Sequence, residues 1–217
     1  MPTRPDTAAN GPPTDRDLAP TAFMDTTHPA VTAFVERACA EAERDAEIAR
    51  RLFAAVRDEI RYDPYQMPMD AGAYRASAVL EAGRAFCVPK AVLLSAAARA
   101  RGIPARLGFA DVRNHLQSDR LREQMGTDLF VYHGYSVLFI GGRWLKASPA
   151  FNAELCARFG VPPLEFDGES DALLHAFSGD GSRYMEYLTD HGTFDDLPLE
   201  ELLDEYRRAY PAITLAA

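Results

Sequence analysis

Residues 83–102 read GRAFCVPKAVLLSAAARARG, and the fold is decided there. Gly83 opens the stretch and Gly102 closes it. Pro89, two positions after Cys87, sits in what would be a first turn, where the missing N–H of proline costs nothing. Arg99 and Arg101 fall in the last turn, against the negative end of the helix dipole. The alanines and leucines between them leave no polar stripe. The spacing predicts a helix that starts at or just before Cys87 and is apolar almost all round, hence central.

Upstream, Ile48, Leu52, Phe53, Val56 and Ile60 recur on one stripe and predict a helix over 46–60, which must stop before Tyr62-Asp63-Pro64. A further helix is expected from His28-Pro29, with Val31, Phe34, Val35 and Cys39 on its apolar face. Before it, residues 1 to about 22 carry five prolines and almost nothing to bury; this tail is expected to be disordered, with residues 23–217 forming one domain. Downstream, residues 104–112 alternate as a strand, and 113–127 are polar and hold a short helix or loop. Leu129–Ile140 (LFVYHGYSVLFI) is the strongest strand, and Gly141-Gly142 turns it into a second, 143–150. A helical turn over 153–159 and an amphipathic helix over 197–210, with an acidic face of Glu200, Glu201, Asp204 and Glu205, close the chain. Helices, then a central helix, then antiparallel strands make an α+β fold: a central helix packed on an antiparallel sheet.

Composition narrows the function. The 23 Lys and Arg against 32 Asp and Glu give a net charge of −9, which disfavours nucleic acid as a partner. No run approaches the ~20 apolar residues of a membrane span, and the first residues lack a secretory signal. Three widely spaced cysteines, Cys39, Cys87 and Cys156, point away from a disulfide framework and towards a reducing, cytoplasmic setting. His28, His175 and His191 lack metal-ligand spacing and no glycine-rich phosphate loop is present, so neither metal nor cofactor is expected.

Cys87 is the candidate nucleophile. A thiol at a helix start meets unpaired N–H groups and the positive end of the dipole, both of which favour thiolate and could also receive an oxyanion. Cys39 and Cys156, inside helical patterns, read as packing. His133, on the first hairpin strand, is the candidate base, and the adjacent Gly134 marks a close backbone approach. A two-residue turn at Gly141-Gly142 pairs positions that sum to 283. Ser148 and Asn152 then lie diagonal to His133 and compete to hold its far nitrogen, with Asp111 as a third choice. The polar cluster Asp111, Arg113 and His115, with Tyr135, is assigned to substrate binding. Trp144 is expected to pack on the central helix.

Four motifs in order carry a resemblance. G-x-x-F-C-V-x-K-A-x-x-L at 83–94 is followed by R-G-I-P-A-R at 101–106, Y-H-G-Y-S-V at 132–137 and W-L-K-A-S-P at 144–149. Over about residues 45–152 the chain resembles the transglutaminase-like superfamily, with its papain-like cysteine-enzyme core. The resemblance implies a nucleophile at Cys87 and a base at His133. It also implies an acid where this chain has Ser148. The function expected is a thiol enzyme acting on a peptide or small amide through an acyl-thioester, hydrolysis slightly ahead of amine transfer. The alternative is a non-catalytic binding or scaffold protein of the same shape.

Overall fold

The computed structural model describes residues 11–115, 117–173 and 185–210. Helices α1 (Pro29–Cys39), α2 (Asp45–Glu59) and α3 (Ala76–Ala82) surround α4 (Cys87–Ala100). Every residue of α4 from Cys87 to Arg99 is buried, so the all-apolar reading gives the helix its central place. A proline in the first turn recurs at α1, where His28 caps the helix and Pro29 is its first residue. A short parallel pairing of β1 (Arg61–Tyr62) with β2 (Arg84–Ala85) ties the exit of α2 to the entry of α4.

The main sheet has the order β5-β4-β3-β6, with β3 Ala105–Asn114, β4 Leu129–Ile140, β5 Arg143–Ala147 and β6 Met185–Phe194. All three pairings are antiparallel. Three further helices, α5 (Asp119–Met125), α6 (Ala153–Arg158) and α7 (Leu199–Ala209), lie outside the central pair of layers. The register Ser136↔Ala147 through Ile140↔Arg143 is the one the two-residue turn dictates. Gly141 and Gly142 stand at φ 58° and 80°, the left-handed pair a tight hairpin needs.

Helix α4 lies on β4 and β3. Ser136 Oγ donates to the Ala91 carbonyl at 2.9 Å, and Ser95 Oγ meets Ser136 Oγ at 3.0 Å. The closest approach is at Gly134, where an added Cβ would stand 2.9 Å from Val88 Cα. That contact is the physical content of the glycine anticipated beside His133.

Three expectations need correction. Residues 11–22 are not a disordered tail; residues 1–10 lie outside the described residues. Asp17 is fully buried and accepts from Arg106 Nε at 2.6 Å, Arg99 donates to Ala19 O, and Trp144 Nε1 donates to Gly11 O. A buried ion pair, not apolar area, holds the segment, so counting hydrophobic residues misses it. Trp144 does not pack on α4. It lies on the opposite face, against Phe139 and beneath the Arg106 guanidinium. Finally, the second hairpin strand ends at Ala147 instead of running to 150, because the Ser148 N–H leaves β4 to donate to Ala172 O.

Candidate active site

Cys87 is the first residue of α4 and 7% exposed. Backbone N–H groups of Val88 and Gly134 stand where they stabilise a thiolate, one from the helix start and one from β4. Burial nonetheless outweighs them and pushes the thiol up to about 11. The expected lowering by the helix terminus is present but is the smaller effect, since a charge sealed from water loses its hydration.

His133 follows a bulge in β4 and precedes Gly134, whose N–H meets the sulfur. Ala110 pairs with His133 and Val112 with Phe130, so Val131 and Tyr132 together oppose Asp111. Tyr132 takes φ 51°, and its N–H donates to Asp111 Oδ1 at 3.1 Å. Such a bulge re-aims the side chain that follows. The imidazole is 1% exposed, and burial lowers its pKa to about 4. Nε2 lies 3.2 Å from Ser148 Oγ. Nδ1 is buried with no hydrogen-bond partner among the described residues, a cost of roughly 1–3 kcal/mol that folding does not recover. Both groups are therefore neutral at pH 7 in this conformation, and the thiol and the imidazole are not in hydrogen-bonding contact.

Of the two choices for the far nitrogen, the geometry selects Ser148. The Asn152 side chain is committed elsewhere: its Oδ1 accepts from Tyr62 N at 2.6 Å and its Nδ2 donates to Ile60 O at 3.0 Å. It closes the end of α2, where Lys90 Nζ also donates, to Arg57 O at 2.8 Å and to Ile60 O. Asp111 does not reach His133 either, because its carboxylate meets His191 Nε2 at 2.8 Å.

The cluster assigned to substrate turns to β6 instead. Arg113 meets Asp128 at 3.5 Å and Glu186 at 3.6 Å, His115 meets Glu186 at 3.2 Å, and Tyr135 Oη donates to Asp190 at 3.4 Å. Strand β6 is not among the elements anticipated from the sequence, and it absorbs these groups. A cleft of about 750 Å³ lies on another side, lined by Tyr62, Phe130 and Phe151 with Arg61, Arg120 and Arg158. Cys87 and His133 do not line it. Three phenols that the sequence does not single out, Tyr74, Tyr206 and Tyr210, lie within electrostatic reach of Cys87. Tyr206 lies on α7 and Tyr210 just past its end, on the apolar stripe of Leu202 and Leu203. Their spacing is readable as an amphipathic helix; the surface it covers is not.

A helix-start cysteine against a bulged strand that carries a histidine, with the order of motifs given above, matches one family model. The model is that of the transglutaminase-like superfamily, over residues 32–149. The chain belongs to this superfamily. No curated protein matches. Among solved structures, a candidate cysteine protease from Cytophaga hutchinsonii aligns at 14% identity and TM-score 0.47, covering 82% of this chain and 53% of that one. A candidate protease from Parabacteroides distasonis aligns at 16% identity and TM-score 0.40, covering 62% and 25%. The chain thus spans about half and about a quarter of their lengths. Among the described residues no helix is long and apolar enough to cross a membrane, and no group of metal-ligating side chains is found.

Proposed function

We propose that the chain is a thiol enzyme acting on amide (or ester) carbonyls through Cys87 and His133. One observation carries this reading: the buried imidazole keeps Nδ1 unpartnered while Ser148 fixes Nε2, on the strand whose next residue, Gly134, turns its N–H to the Cys87 sulfur. A nitrogen left bare at such a cost is one kept for a proton. With Nε2–H donating to Ser148 Oγ, Nδ1 is the basic nitrogen and takes the thiol proton. The sulfur bonds to the substrate carbonyl carbon, and N–H groups opening α4 receive the oxyanion. The tetrahedral species expels the amine, which takes the proton back from Nδ1 and leaves an acyl-thioester. Water, giving its proton to His133, then releases the acid and restores the thiol. Hydrolysis is favoured over transfer because an amine acceptor needs a binding site of its own and water does not. The thiol and ring close on each other when substrate binds, as catalytic hydrogen bonds loose in free enzymes often do.

A second reading, a binding or scaffold protein of the family shape, is favoured by the missing hydrogen bond between thiol and ring and by Ser148 in place of an acid. Alkylation of Cys87 by Ala-Ala-Phe chloromethyl ketone, whose peptide fills the site and lets the ring close on the thiol as a substrate would, separates the two when followed by peptide mass mapping. In the enzyme, His133→Gln lowers the ratio of the rate at pH 6 to that at pH 9 by about tenfold or more, since the ring no longer promotes thiolate. An unchanged ratio leaves the scaffold reading standing. The pH 9 rate normalises for access to the thiol.

A further inference from the structure

We propose that α7 is a displaceable plug occupying the place of the substrate's main chain, so that an extended polypeptide carrying the scissile amide pairs with the outer edge of β4 at residues 129–131 once α7 lifts. This rests on the thiol-enzyme reading above, and it names a polypeptide, not a small amide, as substrate.

The backbone of β4 supplies the first observation. Asn114 N donates to Asp128 O, and the same register pairs Val112 with Phe130. Strand alternation then turns Phe130 towards β3, and the groups of Leu129 and Val131 away from it. β5 pairs only with residues 136–140 of β4, so no strand among the described residues covers this part of the edge. Tyr210 does. Its hydroxyl accepts from Val131 N at 2.7 Å and donates to Leu129 O at 3.2 Å. One hydroxyl thus meets the donor and the acceptor that an added strand would engage.

The seal supplies the second. Tyr206 is 2% exposed, packs its ring 6.3 Å from Phe86, the residue before Cys87, and 5.6 Å from Tyr210. Tyr206 thus covers the residue that leads into the nucleophile, and its phenol lies within electrostatic reach of Cys87. A second latch joins the plug to the bulge, Tyr132 Oη donating to Glu201 Oε1 on α7. Two residues on from the covered edge stands His133. A chain running along Leu129–Val131 is therefore led along β4 towards His133.

The test uses the full-length protein and maps alkylation of all three cysteines at pH 7.5. Cys39 and Cys156, both buried in other helices, report any global unfolding. Tyr210→Phe keeps the ring and deletes the hydroxyl; it is expected to speed iodoacetamide labelling of Cys87 about tenfold, equivalent to about 1.4 kcal/mol of lost closure, with Cys39 and Cys156 unchanged. Glu201→Ala is expected to act in the same direction and decides the matter if Tyr210→Phe does not fold. A wild-type Cys87 that already labels as fast as either variant overturns the plug while leaving the enzyme reading intact. Fast labelling in the variants, with Ala-Ala-Phe chloromethyl ketone reacting equally well at Cys87 once His133→Gln is added, sinks the enzyme reading and keeps the plug. In Tyr210→Phe, Ala-Ala-Phe chloromethyl ketone is expected to outpace chloroacetamide at Cys87 at least tenfold more than it does with free glutathione. Equal preference refutes the main-chain pairing.

Discussion

Replacing Gly134 by alanine presses directly on the contact that brings α4 and β4 together. The added methyl carbon would stand 2.9 Å from Val88 Cα and 3.0 Å from Val88 Cγ2. Carbon atoms are at ease at about 3.5–4.0 Å, so the methyl falls about 0.6 Å or more inside that range, and against backbone. Alanine in a strand is otherwise favoured over glycine by about 0.5–1 kcal/mol. Overpacking a tight site costs about 1–3 kcal/mol, so a net destabilisation of about 1–2 kcal/mol is expected. Urea unfolding followed by far-UV circular dichroism reads it as a lower midpoint at unchanged slope. Helix and strand must also part, carrying Cys87 from His133. Adding Val88→Ala removes only the Cγ2 contact and should recover less than half of the loss, because Val88 Cα remains. If Gly134→Ala is neutral or stabilising, or if Val88→Ala restores the protein fully, the close approach of backbones is not what glycine serves at 134.

Three further outcomes follow from the buried groups. Burial takes the His133 pKa from 6.5 to about 4, so the unfolded chain binds the extra proton between those values and stability rises with pH across that window; the difference is worth about 3 kcal/mol, and His133→Gln should flatten it in denaturant titrations at pH 4.5 and 6.5. Lys90, buried against the end of α2, is lowered to about 7; the unfolded chain holds that proton up to about 10.5, so stability should rise between pH 7.5 and 8.5 by about 1 kcal/mol, a rise that Lys90→Met abolishes in the same titrations. Ser148→Asp places a carboxylate behind His133 Nε2; the ring pKa, read by NMR, should move up by one unit or more, and Cys87 alkylation at pH 6 should accelerate relative to pH 9.

Several of these elements can be read from residues alone. Helix α4 is legible because Gly83, Pro89 and Gly102 are local signals, and the hairpin register follows from two glycines and counting. The same counting leaves Ser148 and Asn152 tied, since both are diagonal to His133. What breaks the tie is long-range: the end of α2 claims Asn152 through Tyr62 N–H and Ile60 O. Strand β6 is invisible because it is an edge, with Thr189, Asp190 and His191 where a buried strand would show apolar residues. The helix at 199–209 is legible as an amphipathic element, but its seat against Phe86 and the edge of β4 depends on tertiary packing of Tyr206 and Tyr210 that no local pattern encodes. The thiol pKa escapes the sequence for the same reason. A helix start is visible in sequence, whereas depth of burial is not.

The pairing of Asp17 with Arg106 has a practical corollary for anyone trimming this protein. A stretch that looks dispensable carries the counterion of a guanidinium 6% exposed, laid over the Trp144 ring. Cutting beyond Asp17 removes the buried carboxylate that meets the Arg106 guanidinium at 2.6 Å, a loss of about 3–5 kcal/mol. A shortened version is better made together with Arg106→Met, which removes both members of the buried pair.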